Sequence, residues 1–271
     1  MSFTPNARHK MPHLTRTNAN GIAHIEMTAP ARLNALSDAM IDALQSQFDS
    51  LMEDQDTRVV ILSGAGKAFC AGHDLREMQA ARQDTDGGAA RFGGLFDRCA
   101  TMMQTVQALP QPVIAQVQGI ATAAGCQLVA TCDLAVAAHS CKFGVNGVNI
   151  GLFCSTPMVA LTRNIARKQA FEMLTTGRFI DAGEAQKLGL INKSVADDEL
   201  ANATRALART IADKLPIAVK TGKQAFYEQA QMSTADAYAY TGARMIENML
   251  DPQTNEGINA FLEKRDPDWS T

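Results

Sequence analysis

"GIATAAGCQLVATCD", residues 119–133, runs from a glycine turn into an apolar helix and carries one uncharged amide, Gln127, about a turn inside. It follows "PVIAQVQG" (112–119), a near-continuous apolar run of the kind buried on both faces of a parallel sheet. Ala123, Ala124 and Gly125 leave the backbone bare where the helix begins. The unpaired N–H groups of such a first turn, with the helix dipole behind them, suit an anion or a polarised carbonyl oxygen. Gln127 lies three residues beyond Ala124 and shares that helix face, while Leu128, Val129 and Cys132 point toward the core. A charge-accepting helix start with no ionisable group beside it is the feature to explain.

Other strand-like runs surround this one. "GIAHIEMT" (21–28) alternates, and "RVVILSG" (58–64) and "DLAVAA" (133–138) are apolar throughout. Helical patterns lie between them at 37–53, where Ser37 is the N-cap and Leu36, Met40, Ile41, Leu44, Phe48, Leu51 and Met52 recur at helical spacing, and at 91–109. That alternation predicts an α/β fold with a parallel sheet and right-handed crossovers. Residues 80–94 show no period and read as a mobile loop. After residue 157 helices dominate, at 162–175, 182–187, 198–214, 217–231, 234–249 and 254–264, with "LINKSV" (190–195) the one further strand. The expected division is a loose tail over 1–20, an α/β core over 21–200 and a helical region over 201–271.

The 271 residues are 46% hydrophobic and 20% charged with a net charge of −3, so no basic field attracts nucleic acid or anionic lipid. The longest apolar-looking stretch includes Gln127 and Asp133 and is mostly Ala and Thr, which argues against a membrane span. Six cysteines, at 70, 99, 126, 132, 141 and 154, form no CxxC pair and read as reduced thiols in a cytosol-like compartment. Cys132, His139 and Cys141 fit no common zinc spacing, so no metal site is expected. The first 20 residues carry Arg8, Lys10 and Arg16, no acid and no apolar signal block. A cytoplasmic location is expected, with an organelle matrix as the alternative if that tail is a transit peptide.

A second loop of the same kind, "GKAFCAGHDLREM" (66–78), leaves the strand at 58–64. Ligands of open α/β sheets bind beyond the carboxyl ends of strands, so two adjacent loops there can aim N–H groups at one spot. Either loop alone also fits a plain turn that packs a helix on a sheet. Taken with "PARLNALS" (30–37), "FGVNGVNIGL" (143–152) and "FLEKR" (261–265), in this order and near this spacing, the pair resembles the crotonase superfamily, the enoyl-CoA hydratase and isomerase family, from about residue 20 onward. The resemblance implies a ββα spiral core with a C-terminal helical region for trimerisation, a homotrimer or dimer of trimers, and a coenzyme A thioester as substrate or ligand with no permanently bound cofactor. It also implies an oxyanion hole for the thioester carbonyl formed by the backbone N–H groups of His73 and Ala124. CoA contacts would come from Arg32, Leu33, Ala71 and Arg76, and from Phe261 and Lys264 in the C-terminal helices.

The chain departs from that family where proton chemistry is done. Hydratases of the family use two glutamates to hold and activate water; the position of the first reads Gln127 here, and that of the second, four residues after Phe143, reads Gly147. An amide can orient water but has no pKa in the working range. General acid–base catalysis contributes around 10²- to 10⁴-fold per group, so efficient hydration is not expected. The segments "IATAAGCQLVATCDLAVAA" and "GVNIGLFCSTP" resemble those of the family's domain-containing subgroup, which shares the Gln and lacks the second Glu. Substitute groups in reach by sequence are His73, Cys70, Cys154, Asn146, Asn149, Ser155 and Thr156, while Asp133 reads as a cap or salt link beneath the sheet.

Three functional readings stay open: an acyl-CoA enzyme that polarises the thioester for chemistry other than efficient hydration, a non-catalytic acyl-CoA binder or regulator, and a weak enoyl-CoA hydratase or lyase of fatty-acid metabolism. A serine peptidase of related fold is disfavoured, because none of the five His follows a strand near a nucleophilic Ser elbow.

Overall fold

A computed structural model describes residues 9–11 and 13–269. The strands are β1 (His9–Met11), β2 (Leu14–Ala19), β3 (Ile22–Met27), β4 (Val59–Gly64), β5 (Val113–Val117), β6 (Ile120–Thr122), β7 (Leu134–Ala138), β8 (Lys142–Gly144), β9 (Phe179–Asp181) and β10 (Lys193–Val195). The helices are α1 (Asp38–Met52), α2 (Leu75–Ala81), α3 (Ala89–Ala108), α4 (Ala124–Thr131), α5 (Pro157–Asn164), α6 (Arg167–Thr176), α7 (Ala182–Leu188), α8 (Leu200–Ala212), α9 (Pro216–Gln229), α10 (Thr234–Met249) and α11 (Pro252–Glu263).

Seven strands form one sheet in the order β1-β2-β3-β4-β5-β7-β10, antiparallel from β1 to β3 and parallel from β3 onward. A small second sheet, β6-β8-β9, stands beyond it. Burial on both faces favours near-continuous apolar runs in the inner strands, and β4 is buried along its whole length, its one polar side chain, Ser63, being hydrogen-bonded to His24. One face meets α1, α3 and α4 through Ile25, Met27, Val60, Leu62, Val113, Ala115 and Ala137. The other meets α8 through Val59, Ile61, Ile114, Val136 and Ala138. Ser37 caps α1 by accepting the Met40 N–H at 3.2 Å, and Met40, Ile41, Leu44, Phe48 and Leu51 then recur on its buried side.

The α/β class and the C-terminal helices agree with the sequence, and three local expectations do not. Residues 14–19 are a strand of the main sheet and not part of a loose tail: Leu14 is buried and pairs with Met27, and Asn20 and Gly21, both at positive φ, make the tight turn between β2 and β3. Residues 1–8 of that predicted tail lie outside the described residues. The expected loop over 80–94 is confined to turns at 82–88, with α2 and α3 taking the flanks. Gly88 turns the chain at φ 90°, Asp86 accepts the N–H groups of Gly88 and Ala90, and α3 starts at Ala89. The helix expected over 162–175 is two, because Asn164 turns its amide onto the Ala160 and Ala130 carbonyls and Ile165 leaves helical geometry. Strands β8 and β9, three residues each, carry too short a pattern to show.

The C-terminal helices are fastened through one buried cluster. Lys223 of α9, its side chain 5% exposed, donates to the carbonyls of Val106 and Gln111 and to Asp133 Oδ2 at 2.7 Å. Asp133 also accepts from Tyr227 Oη at 2.8 Å and from the Val113 N–H at 2.6 Å. Removing one partner leaves the other charge buried and unpaired, which typically costs about 3–5 kcal/mol. Lys223→Met and Asp133→Ala should each lower the free energy of urea unfolding by that order, and the double variant Lys223→Met/Asp133→Ala should lose less than their sum; full additivity in equilibrium unfolding would contradict the coupling.

Candidate active site

Three loops meet at the carboxyl ends of β3, β4 and β5. The first, 28–37, is shaped by Leu33 and Asn34, both at positive φ. Asn34 is fully buried; its Oδ1 accepts the Ala29 N–H, and its Nδ2 donates to the carbonyls of Ala65 at 2.9 Å and Ala68 at 2.8 Å. One side chain thereby fixes the first loop to the second. The second loop then runs beside the first: Ala71 N–H donates to Leu33 O at 3.1 Å, Leu36 N–H to Gly72 O at 2.8 Å, and Asp74 N–H to Leu36 O at 3.4 Å. In this parallel bridge Leu36 uses the groups of residues 72 and 74. The N–H of His73 therefore faces away from Leu36.

On that far side lies the third loop. Cys70 and Ala121 bridge, and Thr122 N–H donates to Cys70 O at 3.1 Å. Gly72, at φ 86°, approaches so closely that a Cβ there would sit 3.0 Å from both Ala123 Cβ and Thr122 O and 3.2 Å from Ala124 N. A Cβ on Gly125 would strike Cys70 O at 2.2 Å. Small residues at 72, 123, 124 and 125 are thus needed for the two backbones to touch. Ala123 is held at φ 49° and ψ −120°, an unfavourable region for a residue with a Cβ, by its N–H bond to Gly144 O at 2.9 Å. Ala124 opens α4, so its N–H has no acceptor within the helix. No loop, turn or cap hydrogen bond among the described residues uses the N–H of His73 or of Ala124.

The side chains around this contact are neutral. Gln127, 6% exposed, holds a buried Oε1 without a partner among the described residues. Gly147 donates its N–H to Cys154 Sγ at 3.4 Å, and a Cβ there would lie 2.5 Å from Leu152 O and 2.9 Å from Cys154 Sγ. Its φ is not in the left-handed region, so the obstacle to a larger residue is the 147–154 turn itself. Thr122 Oγ1 donates to Asn146 Oδ1, a link across the two loops that the separate motifs do not show. Asn149 donates to Gly177 O and Ser155 to Phe153 O.

Nearby titratable groups are tied down or neutralised. Asp74 caps α2 and pairs with Arg32 at 2.9 Å, Glu77 accepts the Asp38 N–H, and Asp38 pairs with Arg98. Asp133 is the link beneath the sheet that its sequence position suggests. The His73 ring packs edge-on against Phe96 at 5.7 Å with both nitrogens buried and unpartnered among the described residues. Burial lowers its pKa below the usual histidine range; the Leu36 carbonyl and Asp38 oppose the shift without reversing it. Burial thus favours the neutral imidazole. Burial pushes the Cys70 thiol up to about 12 and the Cys154 thiol above its ordinary value, so neither is a thiolate.

Arg32, Leu33, Ala71 and Arg76 come together on the first two loops, and the solvent-facing Arg32 and Arg76 flank Asp74. Phe261 and Lys264 lie apart from them on α11, which packs on α10 and on Trp269; the Trp269 indole in turn donates to Asp213 O below α8. Phe261 is 82% exposed.

Residues 17–271 match the family model described as enoyl-CoA hydratase/isomerase. The enoyl-CoA hydratase domain-containing protein 3, mitochondrial, of Rattus norvegicus is 42% identical over 270 residues, 99% of this chain and 88% of its own, and that of Homo sapiens is 43% identical over 251 residues, 93% and 81%. A crystal structure of an enoyl-CoA hydratase from Mycobacterium smegmatis superposes with a TM-score of 0.92 at 49% identity, covering 96% of this chain and all of that one. The crystal structure of the human domain-containing protein 3 gives 0.91 at 42% identity, covering 95% of this chain and all of that one. Shared fold, matched sequence and the meeting of these loops make the chain a member of the enoyl-CoA hydratase/isomerase family.

Proposed function

We propose that the chain binds an acyl-CoA thioester with its carbonyl oxygen between the N–H groups of His73 and Ala124, and that it supports chemistry other than efficient hydration. The observation that carries this reading is the combination at one place of two unused amides and a neutral surround. Two donors aimed at one oxygen stabilise an enolate-like charge by about 3 kcal/mol each. With Gln127 and Gly147 at the family's glutamate positions, and the carboxylates of Asp38, Asp74, Glu77 and Asp133 already paired, no acid or base is placed to deliver water. Gln127 can orient a water or a substrate hydroxyl through its Oε1. Arg32, Leu33, Ala71 and Arg76 are assigned to the CoA moiety.

The same neutrality favours a second reading, a non-catalytic acyl-CoA binder, since binding needs the donors but no proton transfer. A homotrimer or dimer of trimers would bring Phe261 and Lys264 of one subunit to the loops of another. The exposed apolar side chains of Phe171, Leu250, Phe261 and Leu262 support association. The relatives' mitochondrial names favour an organelle matrix for this chain over the cytoplasm.

Calorimetric titration should give micromolar-range binding of acetyl-CoA or crotonyl-CoA, and absence of heat at millimolar ligand would remove both readings. Loss of crotonyl-CoA absorbance should run at least about 10⁴-fold below a good hydratase, the loss expected for two missing acid–base groups. Gln127→Glu alone should raise that rate by about 10²-fold or more by restoring one of them. Gly147→Glu should instead destabilise the chain in thermal denaturation, because its Cβ meets Leu152 O; a stable, faster Gln127→Glu/Gly147→Glu variant would contradict the steric account.

A further inference from the structure

A second cavity, of about 230 Å³, lies at the opposite end of the strands from the candidate active site. Its walls include Asp54, Thr57 and Arg58 ahead of β4, Gln111 ahead of β5, and Lys214 and Lys220 from the α8–α9 turn and α9. It therefore sits between the α/β core and the C-terminal helices. Among the described residues none of the three cations, Arg58, Lys214 and Lys220, takes part in an ion pair. Asp54 does not neutralise them, since its carboxylate accepts from Arg16, from both the N–H and the hydroxyl of Thr57, and from the Asp56 N–H.

Gln111 adds a second and independent feature. It is 3% exposed, and its Nε2 donates to Leu51 O at 2.9 Å and Asp54 O at 3.0 Å. Those two carbonyl acceptors fix which end of the amide is nitrogen. The other end, Oε1, is a buried acceptor with no partner among the described residues, on a side chain that lines the cavity. Cations without counter-charges call for an anion, and a buried acceptor calls for a hydroxyl donor on the same ligand. Phosphate carries both at neutral pH, and a phosphate monoester carries both when a neighbouring hydroxyl is present. Sulfate carries only the first.

We propose that this cavity binds phosphate or the phosphoryl end of a hydroxylated metabolite, with Lys214, Lys220 and Arg58 on the anionic oxygens and Gln111 Oε1 accepting from the hydroxyl. Occupancy would tie the C-terminal helices to the core. The proposal is independent of the acyl-CoA reading, with which it shares no residue.

The test is calorimetric titration of the full chain with inorganic phosphate, AMP and sulfate at fixed ionic strength. Saturable binding of phosphate or AMP at one site per chain is expected, about fivefold or more tighter than sulfate, because sulfate leaves the Gln111 acceptor unpaired. Lys214→Ala/Lys220→Ala, at two exposed positions, should weaken it about tenfold or more per lysine while the far-ultraviolet spectrum is kept. If the double variant does not fold, Lys220→Gln carries the same test. AMP binding above phosphate marks a metabolite, phosphate at or above AMP marks the free ion, and either supports the site. No binding, equal phosphate and sulfate affinity, or an affinity unchanged by the lysine substitutions overturns it.

Discussion

The contact on which this architecture depends is between two backbones, where Gly72 of one loop, at φ 86°, meets Ala123 and Ala124 of the next so closely that a Cβ on it would be crowded at 3.0–3.2 Å. Everything that positions the candidate site serves that approach. Asn34 bolts the 28–37 loop to the 64–68 turn, Leu36 bridges the chain at His73, and Cys70 bridges it at Ala121. The approach stores strain, because Ala123 sits at φ 49° and ψ −120°, a sparsely populated region that costs roughly 1–3 kcal/mol for a residue with a Cβ. A residue held in such a conformation by packing and by one hydrogen bond to Gly144 is a common signature of a functional turn.

Around that contact the chemistry is muted. A half-buried histidine whose pKa is lowered by burial, a buried glutamine, two thiols held protonated and a glycine locked against Leu152 and Cys154 surround the amides. In low-dielectric surroundings two N–H dipoles act strongly on a developing negative charge. They move no proton. In the proposed function such a site would grip and polarise a carbonyl, and any further reaction would draw its proton from the substrate or from an oriented water.

How much of this is legible in the sequence follows from how local each signal is. Apolar runs such as 59–64 and the spacing of Met40, Leu44, Phe48 and Leu51 identify the sheet and α1 because burial on both faces, or on one helical face, writes itself into consecutive residues. The small-residue loops, Gln127 and Gly147 are equally readable. The strand at 14–19 is not, because its own pattern is polar and mostly half-buried; the usable signal is the Asn20-Gly21 turn that pairs it with β3. Contacts between distant loops, such as Thr122 with Asn146 or His73 with Phe96, have no sequence signature at all. The Lys223–Asp133 link is half legible, since Asp133 points beneath the sheet but its partner is 90 residues away.

The carbonyl stretch of a thioester bound at the site tests the central claim most directly. Infrared difference spectra with crotonyl-CoA labelled by carbon-13 at the thioester carbonyl should show that band moving to lower frequency on binding, as two N–H donors draw charge onto oxygen, while the double bond persists. An unshifted carbonyl band in the bound ligand, or its rapid replacement by the spectrum of a hydrated product, would contradict a carbonyl clamp that lacks proton-transfer groups.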